Sequence, residues 1–233
     1  MQNAAASTPK FRRLEADFRR QRLIDATVEC IAEYGYAATS VRQICRKADV
    51  SPGLLRHYFS GKSDLILQAY AQLIDQFSTE LKSALDNHTV ENQNGKGDPR
   101  NKLKVFVNTC FNGTMQEETT LSVMLAFWSE LRLDPMMQSN AKSLCSGYHQ
   151  QLVEVISDVA LNEGNQDEVD PNLVALALAA LVDGLWLQMC VNRSAFNIED
   201  ARLACFGLLD GFLFCGTNEQ WLQTRAAGRI DHL

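Results

Sequence analysis

Apolar residues recur along this chain with a period near 3.6, and no segment alternates strictly as a half-buried strand does. Val41, Ile44, Cys45 and Ala48 fall at i, i+3, i+4 and i+7, leaving Arg42, Gln43, Arg46 and Lys47 off that stripe. Thr39 or Ser40 supplies the oxygen an N-cap needs, and the pattern runs out at Asp49-Val50. A second short helix follows. Ser51 caps it, Pro52 occupies the first position where its missing N–H costs nothing, and Gly53 keeps the backbone bare. Leu55 and Phe59, four apart, pack inward, and Arg56 points out flanked by His57 and Tyr58.

The same periodicity predicts the remaining elements. Leu23, Ile24, Thr27, Val28 and Ile31 mark one face of a first helix that stops at Gly35, behind a basic lead, KFRRLEADFRRQR, at 10–22. Apolar residues at 65, 66, 69, 70, 73, 74, 77, 81 and 85 carry a long fourth helix from Lys62 to about Asp86, whose free N-terminal N–H groups and Lys62 form a phosphate site. His88 to Pro99, polar and glycine-containing, predicts an exposed loop. Helices then follow at about 100–117, 120–133, 136–163 with Gly164 as terminator, 171–192 capped by Asp170, and 198–215 ending at Gly216. The fold class is therefore all-α. A basic arm at 1–18, a three-helix head at 19–64, a helical body at 65–216 and a tail at 217–233 complete the expected organisation, with the long helix joining head to body.

Charge divides along the same line. The chain is net −6, yet residues 1–62 carry 11 Lys+Arg against 6 Asp+Glu, leaving an acidic body. A basic head on an acidic body suits a protein that sets one end on phosphate, and two helices at a fixed angle presenting the second N-terminus first are how many regulators read the DNA major groove. Candidate DNA contacts are Thr39, Arg42, Ser51, Pro52, Gly53, Leu54, Arg56, His57, Tyr58 and Lys62. Helical bundles that touch no nucleic acid also contain such helix pairs.

Other chemistry is sparse. Seven cysteines, an odd number without a C-x-x-C pair, read as reduced core residues; Cys145 and His149 lack a second ligand pair, so no metal or cofactor is expected. No serine-nucleophile elbow, P-loop, HExxH or dinucleotide glycine fingerprint occurs, which argues against an enzyme. No secretory signal pattern opens the chain, and a cytoplasmic protein is expected. Residues 173–191, LVALALAALVDGLWLQMCV, are apolar nearly all round, but Asp183 in the middle and the absence of basic flanks oppose a membrane span. With the similarly apolar last helix, where LLDGFL (208–213) echoes LVDGLW (181–186), they predict a homodimer closed by a four-helix bundle.

The series Thr39-x-Val41-x-x-Ile44-x-x-x-Ala48-x-Val50-Ser51-x-Gly53-x-Leu55-x-x-Tyr58-Phe59-x-x-Lys62-x-x-Leu65 resembles the signature of the TetR family of repressors. His57-Tyr58-Phe59-x-Gly61-Lys62, with LAFWSE (125–130) and LVDGLWL (181–187), is most similar to the choline-responsive BetI type. Asp49 stands where the family usually has Gly, and Arg56 departs from its commoner residues, so the operator sequence is not carried over. The resemblance implies a dimeric repressor on a palindromic operator, released by a small-molecule effector. In the body, Phe111, Trp128, Glu130, Tyr148, Asp183 and Trp186 are the candidate ligand residues, because aromatic faces plus a carboxylate cage a quaternary ammonium that donates no hydrogen bond. Tryptophan at helical spacing also serves as plain core, Asp183 can instead bond across a dimer, and an apolar acyl or drug-like effector is the alternative.

Overall fold

The computed structural model describes residues 9–91, 98–131, 135–192 and 196–214. Among them run nine helices: α1 Pro9–Ala38, α2 Val41–Ala48, α3 Pro52–Tyr58, α4 Lys62–Glu91, α5 Pro99–Cys110, α6 Glu118–Leu131, α7 Pro135–Glu163, α8 Pro171–Val191 and α9 Ile198–Leu213, with a 3-10 turn at Gly113–Gln116. No strand occurs among the described residues.

Helix starts follow local chemistry. Asp98, Asp170 and Asn197 cap α5, α8 and α9 through side-chain oxygens that accept from backbone N–H groups, and proline opens α5 and α8. Helix ends depart from the periodicity at several places. Gly35, at φ 74° and ψ 161°, breaks α1 where an end was expected, but a last turn continues to Ala38. The helix begins at Pro9, so the basic lead at 10–22 is helical, and residues 1–8 of the expected arm lie outside the described residues. α4 runs on to Glu91, which makes His88–Glu91 helical; residues 92–97 of the expected loop, like the tail beyond 214, lie outside the described residues.

The single helix expected at 100–117 divides. α5 stops at Cys110, and Gly113 stands at φ 52° where an added Cβ would lie 2.7 Å from Glu80 Oε2. The backbone angle favours glycine there, and a Cβ would also displace the end of the Glu80 side chain. Thr114 donates its hydroxyl to the same Glu80 carboxylate, which holds the 3-10 turn on α4.

The described residues group into two compact units, one of residues up to 75 with 117–141 and one of 76–116 with those from 142 onward. In the first, α1 lies against both α2 and α6. Leu23, Ile24, Ile31, Ile44, Leu55, Phe59, Leu65 and Ile66 are buried there together with Val123, Met124 and Phe127 of α6, and Tyr70 stacks on Phe127 at 3.7 Å and 9°. Periodicity cannot reveal this pairing, because it shows that α6 has an apolar face but not which face receives it.

The second unit holds the rest of α4 and α7 with α5, α8 and α9. Leu103, Val107, Phe111, Leu152, Ile156, Leu178 and Leu209 form its interior. α8 and α9 pack side by side, each burying one stripe: Val174, Ala175, Leu178, Val182 and Trp186 on α8, and Ala201, Cys205, Leu209 and Leu213 on α9. Their other sides expose Leu173, Leu176, Leu187 and Val191, and Leu203 and Phe212. By length and composition α8, with mean hydropathy 1.9, is the one described helix able to cross a membrane.

Candidate functional site

The head is built on caps. Ser40, rather than Thr39, caps α2 in a reciprocal box: Gln43 N–H donates to Ser40 Oγ at 3.3 Å, and Ser40 N–H donates to Gln43 Oε1 at 2.8 Å. α2 ends on Asp49, whose φ of 53° and ψ of 47° form a left-handed cap, and Val50 N–H then reaches back to Cys45 O at 2.9 Å. Ser51 starts α3 at once by accepting from Leu54 N–H at 3.2 Å. The turn is fixed by hydrogen bonds at both ends, from backbone to backbone at Asp49-Val50 and from backbone to the Ser51 hydroxyl at the start of α3.

α3 has seven residues, too few to be stable alone, and burial anchors it. Leu55 is 1% and Phe59 2% exposed, each contributing about 1.5–3 kcal/mol of apolar burial. The opposite side is left to solvent: Ser51, Pro52, Gly53, Arg56 and His57 are exposed, Leu54 and Tyr58 half-buried, and Arg42 and Arg46 of α2 are exposed. Nothing stands within 4 Å of a Cβ placed on Gly53 except Ser51 Oγ at the limit, so the α3 N-terminus is open to a close partner. The His57 and Tyr58 rings meet edge-on at 5.3 Å.

Two expected DNA contacts are turned inward. Thr39 is 2% exposed, and its hydroxyl donates to Cys30 O at 3.0 Å and Gly35 O at 2.8 Å, tying the end of α1 to the start of α2. Lys62 donates from Nζ to Tyr36 O at 2.8 Å and Thr39 O at 3.1 Å, and sits 3.9 Å from the Tyr36 ring centroid. Both side chains satisfy carbonyls left over where α1 ends, a need that spacing does not reveal. Lys47, off the apolar stripe as expected, is held by Glu33 at 2.9 Å and Glu29 at 3.3 Å, and these carboxylates raise its pKa. α2 is thus braced on α1 from behind.

The candidate ligand residues are divided between the two units. Trp128 and Glu130 lie on α6 in the first unit, both half-buried; burial, first, and the neighbouring Glu130 carboxylate raise the Tyr36 pKa to about 12. Phe111, Tyr148, Asp183 and Trp186 belong to the second unit. Trp186 is 9% exposed and its Nε1–H donates to Cys110 O at 3.1 Å, the end of α5. Asp183 and Trp186, three apart, were expected on one face, but the limit of the packed stripe passes between them and Asp183 is exposed. Apolar groups close around its carboxyl nevertheless push its pKa up to about 6. Tyr148 meets Phe77 edge-on at 6.0 Å, and Phe77 meets Phe106 edge-on at 6.2 Å.

Among the described residues no cluster of His, Cys, Asp and Glu is arranged for a metal; the Cys145 side chain of the pair considered above lies outside them. Cys110 and Cys205 are buried thiols whose pKa values burial raises.

Residues 23–69 match the model for bacterial regulatory proteins of the tetR family, and residues 99–213 match that for the C-terminal domain of BetI-type transcriptional repressors. The regulator BetI of Stenotrophomonas maltophilia is 30% identical over 82% of this chain and 91% of its own length. The chain belongs to the TetR family. It is a BetI-like transcriptional regulator, not an enzyme. A solved transcriptional regulator from Pseudomonas aeruginosa PAO1 superposes with TM-score 0.73 at 30% identity, covering 87% of this chain and 94% of that one. A regulator from Saccharomonospora viridis, solved in complex with choline, shares the fold with TM-score 0.60 at 21% identity over 82% and 95% of the two chains.

In this TetR-family chain the ring contacts add Phe77 and Phe106 to the aromatic side chains singled out in the sequence. Phe77 lies four residues from both Leu73 and Leu81 on a helix taken to be only a connector. The signal was its place on that helix's apolar stripe, alongside the aromatic residues already singled out.

Proposed function

We propose that this regulator is a repressor that binds a palindromic operator as a homodimer and is released by a small quaternary-ammonium effector. The observation that carries the DNA role is the capped α3 that leaves Pro52, Gly53, Arg56 and His57 on its solvent side. Arg56 reads base edges, Arg42 and Arg46 meet phosphate, and Ser51, His57 and Tyr58 hold the backbone. Pairing through the exposed apolar sides of α8 and α9 sets two reading helices about 34–36 Å apart, one DNA turn.

The effector class is supported by the BetI-type domain match and by aromatic side chains of the second unit, where Phe77 meets both Phe106 and Tyr148 edge-on, since aromatic faces suit a cation with no N–H to donate. Ligand binding displaces α4, the helix shared by both units, and changes the separation of the two heads; a coupling of about 1–3 kcal/mol suffices for a useful switch.

The test is fluorescence anisotropy with palindromic DNA from upstream of the chain's own gene, at two salt concentrations, with choline, with betaine aldehyde and with a long-chain acyl compound. Salt-steep, sequence-selective binding released by the cations supports the reading. Release by the acyl compound alone transfers the effector role to an apolar ligand, and absence of selective binding removes the DNA role.

A further inference from the structure

Glu80 stands on α4 one turn beyond Phe77, half-buried, in the second unit. At that spacing the two Cβ atoms lie roughly 5–6 Å apart on one side of the helix. The Glu80 carboxylate accepts from the Thr114 hydroxyl and rests against Gly113, where an added Cβ would meet Oε2 at 2.7 Å. A hydroxyl is a neutral donor, so this bond orients the carboxylate without neutralising it. Among the described residues no lysine, arginine or histidine side chain forms an ion pair with Glu80. Elsewhere in the same unit Glu163 is paired with Arg100, Asp158 with Lys102 and Glu199 with Arg202.

This uncompensated group lies beside aromatic side chains. Phe77 meets Phe106 of α5 and Tyr148 of α7 edge-on, so the stretch of α4 that carries Glu80 also carries the residue at which those ring contacts converge. A quaternary ammonium spreads its charge over methyl groups and donates no hydrogen bond; ring faces hold it, and a nearby carboxylate that nothing else neutralises adds a direct attraction. The two carboxylates expected in that part stand elsewhere. Glu130 belongs to the first unit, and Asp183 is exposed on α8.

We propose that Glu80 is the anionic partner of a quaternary-ammonium effector, with ring surface from Phe77 and Tyr148 beside it. Thr114 is a positioning residue, because its hydroxyl sets where the carboxylate points. The assignment rests on the effector class proposed above and gives that cation its counter-charge.

Full-length protein and Glu80→Gln are titrated by calorimetry with choline and with its tert-butyl analogue, which has the same shape and no charge. Gln keeps an oxygen that accepts from Thr114, so the 3-10 turn stays held and only the charge is removed; thermal melts check the fold. Choline affinity should fall about 10-fold or more in Glu80→Gln, and the uncharged analogue should be bound alike by the two proteins. Thr114→Val, which keeps the charge and frees its position, should lose choline affinity by a smaller factor.

Unchanged choline affinity in Glu80→Gln, or an equal loss of both ligands, overturns the assignment. So does a choline defect that appears in Asp183→Asn instead. If the parent binds neither choline nor betaine aldehyde, the effector class and the part of Glu80 fall together. A parent that binds choline beside an unimpaired Glu80→Gln leaves the effector class standing and removes Glu80 alone.

Discussion

Asp49 holds a left-handed conformation, at φ 53°, that costs most side chains about 1–2 kcal/mol. Aspartate tolerates it better than most, and the turn depends on it because Asp49 N–H closes α2 on Cys45 O and Arg46 O. Asp49→Gly should therefore be neutral or stabilising by up to ~1 kcal/mol, while Asp49→Val should cost about 1–2 kcal/mol, as read from urea midpoints. Asp183 is a second residue with a defined response. Its folded pKa near 6 lies above the ordinary 3.8, so the folded protein binds this proton more tightly; the associated stability is complete below the unfolded value and is lost as pH rises through about 6. Asp183→Asn should raise the melting temperature at pH 8 and leave it unchanged at pH 3.5. Discounted for solvent access, the gain is ~1 kcal/mol. The identity of both residues was plain from the chain, and Asp49's turn was anticipated from the missing glycine. The raised pKa was not, because it arises from the helix faces that surround the carboxyl.

Among the elements, α3 is the most dependent on its ends. With seven residues and one fully buried side chain of its own, Leu55, it relies on the Ser51 cap. Ser51→Ala should lower stability by about 1 kcal/mol and weaken operator binding more than nonspecific binding, measured by melts and anisotropy in parallel. This helix was legible to within its cap, since Ser51, Pro52 and the Leu55–Phe59 spacing are all local signals. α4 and α5 were less so. α4 outran its apolar stripe by a turn, and α5 ended early, before the positive-φ Gly113 and a 3-10 turn that Thr114 holds to Glu80, a residue from a different helix.

At the scale of the molecule, the outward sides of α8 and α9 dominate. Leu176 is 61% and Leu203 61% exposed, a state that an apolar pair of helices keeps only if a partner covers it. On the homodimer proposed above, Leu176→Glu should convert the protein to monomer at micromolar concentration in sedimentation velocity, and operator affinity should fall with it because the two heads no longer bind as one.

By itself the sequence determined the succession of helices, the Ser51 and Asp170 caps, the helix-turn-helix with its outward Arg56, the uneven charge and the family, because each of these is written in local runs of residues. Only the tertiary structure decided that α6 joins the DNA-reading unit, that Thr39 and Lys62 face inward, and that Trp186 is anchored while Asp183 is not. Lys62 lies 26 positions from the carbonyl of Tyr36, and Trp186 lies 76 from that of Cys110. At such separations, hydrophobic period and capping carry no information about partners; the fit of packed faces and the need to satisfy buried carbonyls select them.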